Sequence, residues 1–218
     1  MDLNPIGMPR HAAAMHRGVL LAVLSHDHRF AKRIVEEARR RRLEVVHVNS
    51  REDIPLTAKA VIMKRGEFPG ITADKVVEAE ATQSPASVVD KAIEKAFMIE
   101  KVAKALVAVD PGKKTGLAYY ADNVLLRTET LYDYDVLAEH VADFFRNHPE
   151  SVHHVVMGAG APIYREHLTK SLLSKMPDLR EENIFTVPEG NSTRLARGRD
   201  ELAAAVIHRM WSRGIKRS

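Results

Sequence analysis

Apolar runs of strand length alternate with helical stripes along nearly the whole chain, and few folds accept such a pattern. Gly18-Val-Leu-Leu-Ala-Val-Leu24 is continuously apolar, as a parallel strand buried on both faces must be. Residues 29–42 then carry Phe30, Ile34, Val35 and Ala38 at helical spacing, which predicts a helix with one apolar face. Residues 43–48 and 58–63 read as further strands and 67–84 as loop. Residues 86–104 read as a second helix, striped by Val89, Ile93, Ala96 and Phe97. The class is therefore α/β, and 18–104 is expected to form a small doubly wound, Rossmann-like unit. Residues 1–17 read as a flexible tail.

From residue 105 the order changes. Strands are predicted over 105–110, 115–120 and 124–132. Pro111-Gly-Lys-Lys114 and Ala121-Asp-Asn123 carry the turn chemistry of two hairpins, so these three strands are antiparallel. Helices over 135–147, 164–175 and 199–213 then alternate with strands over 152–157 and 183–187. Three antiparallel strands followed by helix, strand, helix, strand, helix define a second unit over 105–218.

Composition excludes some classes. With no cysteine among 218 residues, disulfides and thiolate-held zinc or iron–sulfur sites are excluded. No apolar run reaches the roughly 18 residues of a membrane span, so no membrane partner and a cytoplasmic location are expected. The net charge of +4 is compatible with a nucleic-acid partner without requiring one. Aromatics make up 6% of the chain, and no stretch reads as a stacking platform for bases. His153 and His154 are adjacent on a strand, so their rings face opposite ways and do not share a metal.

Three segments carry a family resemblance. Leu106-Val-Ala-Val-Asp-Pro-Gly-Lys-Lys-Thr-Gly-Leu-Ala118 resembles the first strand and hairpin of the RuvC and YqgF branch of ribonuclease-H-like nucleases. Val155-Val-Met-Gly158 followed by Ala-Gly-Ala-Pro162 resembles the fourth strand of the YqgF type. Asp200-Glu-Leu-Ala-Ala-Ala-Val-Ile207 resembles the opening of its last helix. The resemblance implies a ribonuclease H-like fold for 105–218, with Asp110, Glu189 and Asp200 as catalytic carboxylates. These would hold Mg2+ or Mn2+ for in-line displacement at a phosphodiester. It departs from the pattern twice. RuvC enzymes carry glutamate where this chain has Gly158, and the YqgF motif Asp-Glu-Arg-x-Ser/Thr-Thr appears here as Pro188-Glu-Gly-Asn-Ser-Thr193. Glu189 is therefore either the third ligand or an ordinary Pro-Glu-Gly turn residue. Glu201 and Glu166 are reserve carboxylates. The N-terminal unit resembles a truncated response-regulator receiver in its β–α–β pattern alone, because the acidic cluster that takes the phosphoryl group is missing.

Basic residues border the same motifs. From Gly190 to Ser218 seven Lys or Arg face two acids. Thr193, Arg194, Arg197 and Arg199 precede Asp200, while Lys113, Lys114 and Thr115 occupy the first hairpin. All are candidate contacts to nucleic-acid phosphates, since guanidinium and ammonium groups bind phosphate oxygens. The expected activity is a divalent-metal-dependent nuclease acting on structured DNA or RNA, resolvase-like or RNA-processing. The alternative is a ribonuclease-H-fold binding or scaffold protein without a working metal site. An actin-like phosphotransferase, whose phosphate loop also runs strand, Asp, glycines, Thr, is a distant third. The N-terminal unit is expected to be an accessory or homodimerisation domain.

Overall fold

The computed structural model describes residues 16, 18–71, 74–188 and 200–215, with side chains of the last helix given over 204–212. The chain divides into two compact units at Lys101/Val102.

The N-terminal unit is an α/β layer on a four-stranded, wholly parallel sheet ordered β2-β1-β3-β4. Its strands are β1 (Leu20–Leu24), β2 (Glu44–Val48), β3 (Ala60–Lys64) and β4 (Val76–Ala79). Helix α1 (His28–Arg40) starts at Asp27, whose carboxylate accepts from the amides of Arg29 and Phe30. It buries Phe30, Ala31, Ile34 and Ala38, while Val35 stays half-buried. Helix α2 (Pro85–Ala96) buries Val88, Val89, Ala92 and Ile93.

Two expectations need correction here. Strand β4 lies inside the stretch read as loop, because four residues set among prolines, glycines and charges give too short an alternation to register. The second helix ends at Ala96 rather than 104, since Met98 takes a left-handed φ of 57° that no helix continues through. Beyond the stripes, Arg41 reaches from the end of α1 to Asp90 on α2 at 2.6 Å, with both side chains about 95% buried, and also binds Glu37. The arginine run therefore does more than offset a helix dipole.

The C-terminal unit is a mixed five-stranded sheet ordered β7-β6-β5-β8-β9. Its strands are β5 (Lys104–Asp110), β6 (Thr115–Ala121), β7 (Val124–Leu131), β8 (Val152–Gly158) and β9 (Ile184–Val187). β5–β6 and β6–β7 are antiparallel, whereas β5–β8 and β8–β9 are parallel. Asp122 and Asn123 both have positive φ, as the tight turn between β6 and β7 demands, and Asp and Asn tolerate it best. Helices α3 (Tyr134–Arg146) and α4 (Pro162–Lys175) pack on one face, where Phe144 meets Tyr119 and Thr169 meets Met157. Helix α5 (Asp200–Ile215) covers the other, its His208 stacked on Tyr120 at 3.7 Å. His153 and His154 do face opposite layers, toward Phe145 and Trp211 respectively. Among the described residues, no helix is long and apolar enough to cross a membrane.

Candidate functional site

The sheet of the C-terminal unit reverses its order of growth between β5 and β8. The chain builds outward from β5 through β6 and β7, then returns to add β8 and β9 on the other side. Asp110 is the last residue of β5 and is half-buried. Val109 pairs with Met157, and Met157 with Thr186, so Asp110, Gly158 and Val187 end their strands at one level.

The side of the sheet that Asp110 faces follows from the register. Asp110 pairs with Gly116 and Leu106 with Tyr120, so the even-numbered residues of β5 share the face of Tyr120. That is the face of α5, since Lys104 sets its ammonium over the Trp211 ring at 4.8 Å. Trp211 also meets His154 and Phe185. The carboxyl half of α5 thus lies over the amino end of β5. Asp200 precedes Trp211 by eleven residues, about 16 Å of helix. From Lys104 to Asp110 the strand rises about 20 Å. With His208 on Tyr120, which pairs with Leu106, α5 therefore runs back across the sheet from the amino end of β5. Aliphatic Ala204 and Ile207, fully buried, and the stacked His208 hold the helix in that register.

The segments around Asp110 are built from small and hydrogen-bonded residues. Thr115 is buried, and its hydroxyl donates to the Gly112 carbonyl at 2.8 Å. The Tyr134 hydroxyl donates to the same carbonyl at 2.9 Å, pinning the start of α3 to the hairpin. Partial burial raises the Tyr134 phenol above its ordinary value. Gly112 is not left-handed, and a Cβ there would meet only the Lys114 carbonyl oxygen at 3.4 Å. Backbone shape therefore does not dictate this glycine. The tip of β8 differs. Ala161, which caps α4, has a φ of 46°, a left-handed conformation costing an alanine about 1–2 kcal/mol. Arg165 holds that loop by donating to the Ala159 carbonyl at 2.5 Å.

The expected residues fall into three groups. Asp110, Lys113 and Lys114 lie together on the β5–β6 edge, both lysines exposed. Thr115 is turned inward, its hydroxyl occupied in closing the hairpin. Glu166 is exposed on α4 and paired with Lys170 at 2.8 Å, which holds its carboxyl below the ordinary value. Glu189, Thr193, Arg194, Arg197 and Arg199 lie outside the described residues, as do the side chains of Asp200 and Glu201. Among the described residues, no three His, Asp or Glu side chains stand close enough to hold a metal ion.

Sequence reasoning missed a buried polar cluster on the α3 face. Tyr119 donates to Glu129, which also meets His140 at 3.1 Å, and the Arg127 guanidinium lies 4.0 Å above the Tyr119 ring. The β6–β7 register brings Tyr119, Arg127 and Glu129 together and the packing of α3 adds His140, so no local motif announces them.

The N-terminal unit has a comparable edge, at the carboxyl ends of β1 and β3. There Lys64 donates to Asp27 at 2.8 Å, and Glu67 accepts from the His26 amide at 3.0 Å. The Lys64 hydrogen bond, helped by the amide of Phe30, lowers the Asp27 carboxyl to about 2. Both oxygens of Asp27 are thus engaged in holding α1 and β3. No family model matches the chain, and neither does any curated protein or solved structure.

Proposed function

We propose that the C-terminal unit is a ribonuclease H-like domain and that the protein is a divalent-metal-dependent nuclease acting on structured nucleic acid. One observation carries this reading: Asp110 ends the central strand at the reversal point, on the face of the sheet that α5 covers. The strand order β7-β6-β5-β8-β9, with two helices on one face and one on the other, supports the fold assignment.

The donor set also fits the group. Asp110, Glu189 and Asp200 are carboxylates, hard oxygen donors suited to Mg2+ or Mn2+. Bound divalent ions would stabilise the charge on the attacking and leaving oxygens of a phosphodiester. The chain's own groups do the rest. The three carboxylates would orient the reacting phosphate, Lys113, Lys114, Arg194, Arg197 and Arg199 would bind flanking phosphates, and water would attack phosphorus and release a proton. The bond to the leaving oxygen breaks, and that oxygen takes up a proton.

Cleavage of branched DNA, duplex, hybrid and structured RNA, assayed with Mg2+ and with Mn2+, tests this. Asp110→Asn is expected to lower cleavage by about a thousandfold or more, as loss of several kcal/mol of charge stabilisation requires. Its fold stays intact, because the side chain ends a strand rather than filling the core. No cleavage of any substrate overturns the nuclease reading. Gly158, which puts no carboxylate at the tip of β8, favours the second reading of a binding or scaffold protein. Salt-sensitive binding without cleavage, indifferent to chelator, selects it.

A further inference from the structure

Three segments bring aromatic rings and lysines together at the edge of the sheet where β5 ends. Leu131 ends β7 opposite Thr115, so Tyr132 leaves the sheet next to Lys114. Tyr132 is 70% exposed. Two residues on, Tyr134 bonds to Gly112, and its ring lies 6.4 Å from that of Tyr164 in the first turn of α4. Tyr164 is 38% exposed and its neighbour Ile163 71%. Three of the chain's five tyrosines thus gather at one edge. Isolated exposed apolar residues need no explanation, but a cluster of them at one edge of the sheet does.

We infer that this shelf is a binding site for the unpaired bases of a single-stranded nucleic-acid segment, which it stacks while Lys113 and Lys114 take the adjoining phosphates. Flat rings with cations beside them match a flat base joined to an anionic backbone. The nearby acids do not spoil the match. Asp133 is turned back onto the amides of Asp135 and Val136, and Asp135 accepts from Ser171. A protein partner would meet the same rings, but the exposed lysines on the hairpin favour an anionic occupant. The Tyr134 bond ties the β7–α3 turn to the hairpin that carries the lysines, and so holds rings and cations in one frame.

The inference rests on the nuclease reading for the class of substrate, and it narrows that class to nucleic acid with an unpaired segment next to the cleaved bond. The test measures affinity of the full chain for labelled oligo-dT, oligo-U and a blunt duplex of equal length, by fluorescence anisotropy without metal. The single strands are expected to bind more tightly than the duplex. Tyr132→Ala and Tyr164→Ala are each expected to weaken single-strand binding roughly 5- to 150-fold and to leave duplex binding unchanged. Tyr164→Phe keeps the affinity, because stacking needs the ring and not the hydroxyl. Lys113→Ala lowers the slope of log affinity against log salt by about one.

All of these positions are exposed, so thermal melts should match the unsubstituted protein. Alanine variants that bind single strands as well as the unsubstituted chain overturn the shelf, as does a Phe variant no better than Ala. Cleavage without any tyrosine effect overturns the shelf alone. A tyrosine effect without cleavage keeps the shelf and overturns the nuclease reading. Failure to bind any nucleic acid at low salt overturns both.

Discussion

Asp27 and Asp110 stand at equivalent places in two unlike units. Asp27 lies just beyond the apolar first strand of its unit and Asp110 ends the first strand of its own, each where the sheet's order reverses. What comes next separates them. Asp27 is followed directly by a helix, so its carboxylate satisfies the first amides of α1 and its second oxygen binds Lys64. Asp110 is followed by Pro111-Gly112, which turn the chain into a hairpin, and it heads no helix. A carboxylate at a strand tip becomes a structural cap in one context and a candidate ligand in the other. The decisive residues are the two or three that follow it.

The comparison breaks first at Asp110. If Asp110→Asn leaves cleavage intact while Asp27→Asn impairs it, the two edges have exchanged roles.

The largest expected effect on stability lies in the N-terminal unit, away from either aspartate. Arg41→Ala leaves Asp90 buried without its guanidinium, and removing one partner of a buried ion pair costs about 3–5 kcal/mol. Chemical denaturation of the variant reads this directly, and a loss well under 1 kcal/mol would mean that solvent reaches Asp90.

In the C-terminal unit the corresponding element is α5, and its weak point is acid. Burial lowers His208 to about 4 from an ordinary 6.5, with Lys104 adding to the effect. The unfolded chain therefore binds the proton more readily between those two values. Stability is full above pH 6.5 and falls as pH drops toward 4, by about 3 kcal/mol at most. His208→Phe, which can keep the stack on Tyr120, should flatten that dependence. A slope unchanged in the variant would assign the acid sensitivity elsewhere.

The smallest effect belongs to Asp27 itself. Its carboxyl is lowered from 3.8 to about 2, so its contribution is full above 3.8 and is lost as pH falls through that range. Asp27→Ala should lower the Tm by a few degrees at neutral pH, and the difference from the unsubstituted protein should shrink toward pH 2. If the difference persists at that pH, the charge on Asp27 is not what stabilises α1.

Much of this was legible from local pattern. The apolar runs at 18–24 and 105–110, the stripe on α1 and the Asp122-Asn123 turn all report forces acting within a few residues, and the strands, helix and hairpin stand where they point. Strand β4 was not legible, because a four-residue edge strand is held by its pairing with β3 rather than by its own alternation. Nor was the Arg41–Asp90 pair, whose partners are 49 residues apart.

By itself, then, the amino-acid sequence determined the α/β class of each unit, the order of most of its elements and the position of Asp110 at the end of a strand. Hydrophobic period and turn chemistry are short-range properties that survive in a linear string. Only the tertiary structure decided what surrounds that aspartate. The sheet register sets Gly158 and Val187 beside it, α5 covers the face it points to, and Tyr134 and Tyr164 from separate segments approach each other at the same edge. Each of those placements depends on which strand pairs with which, and that is settled when the whole core packs.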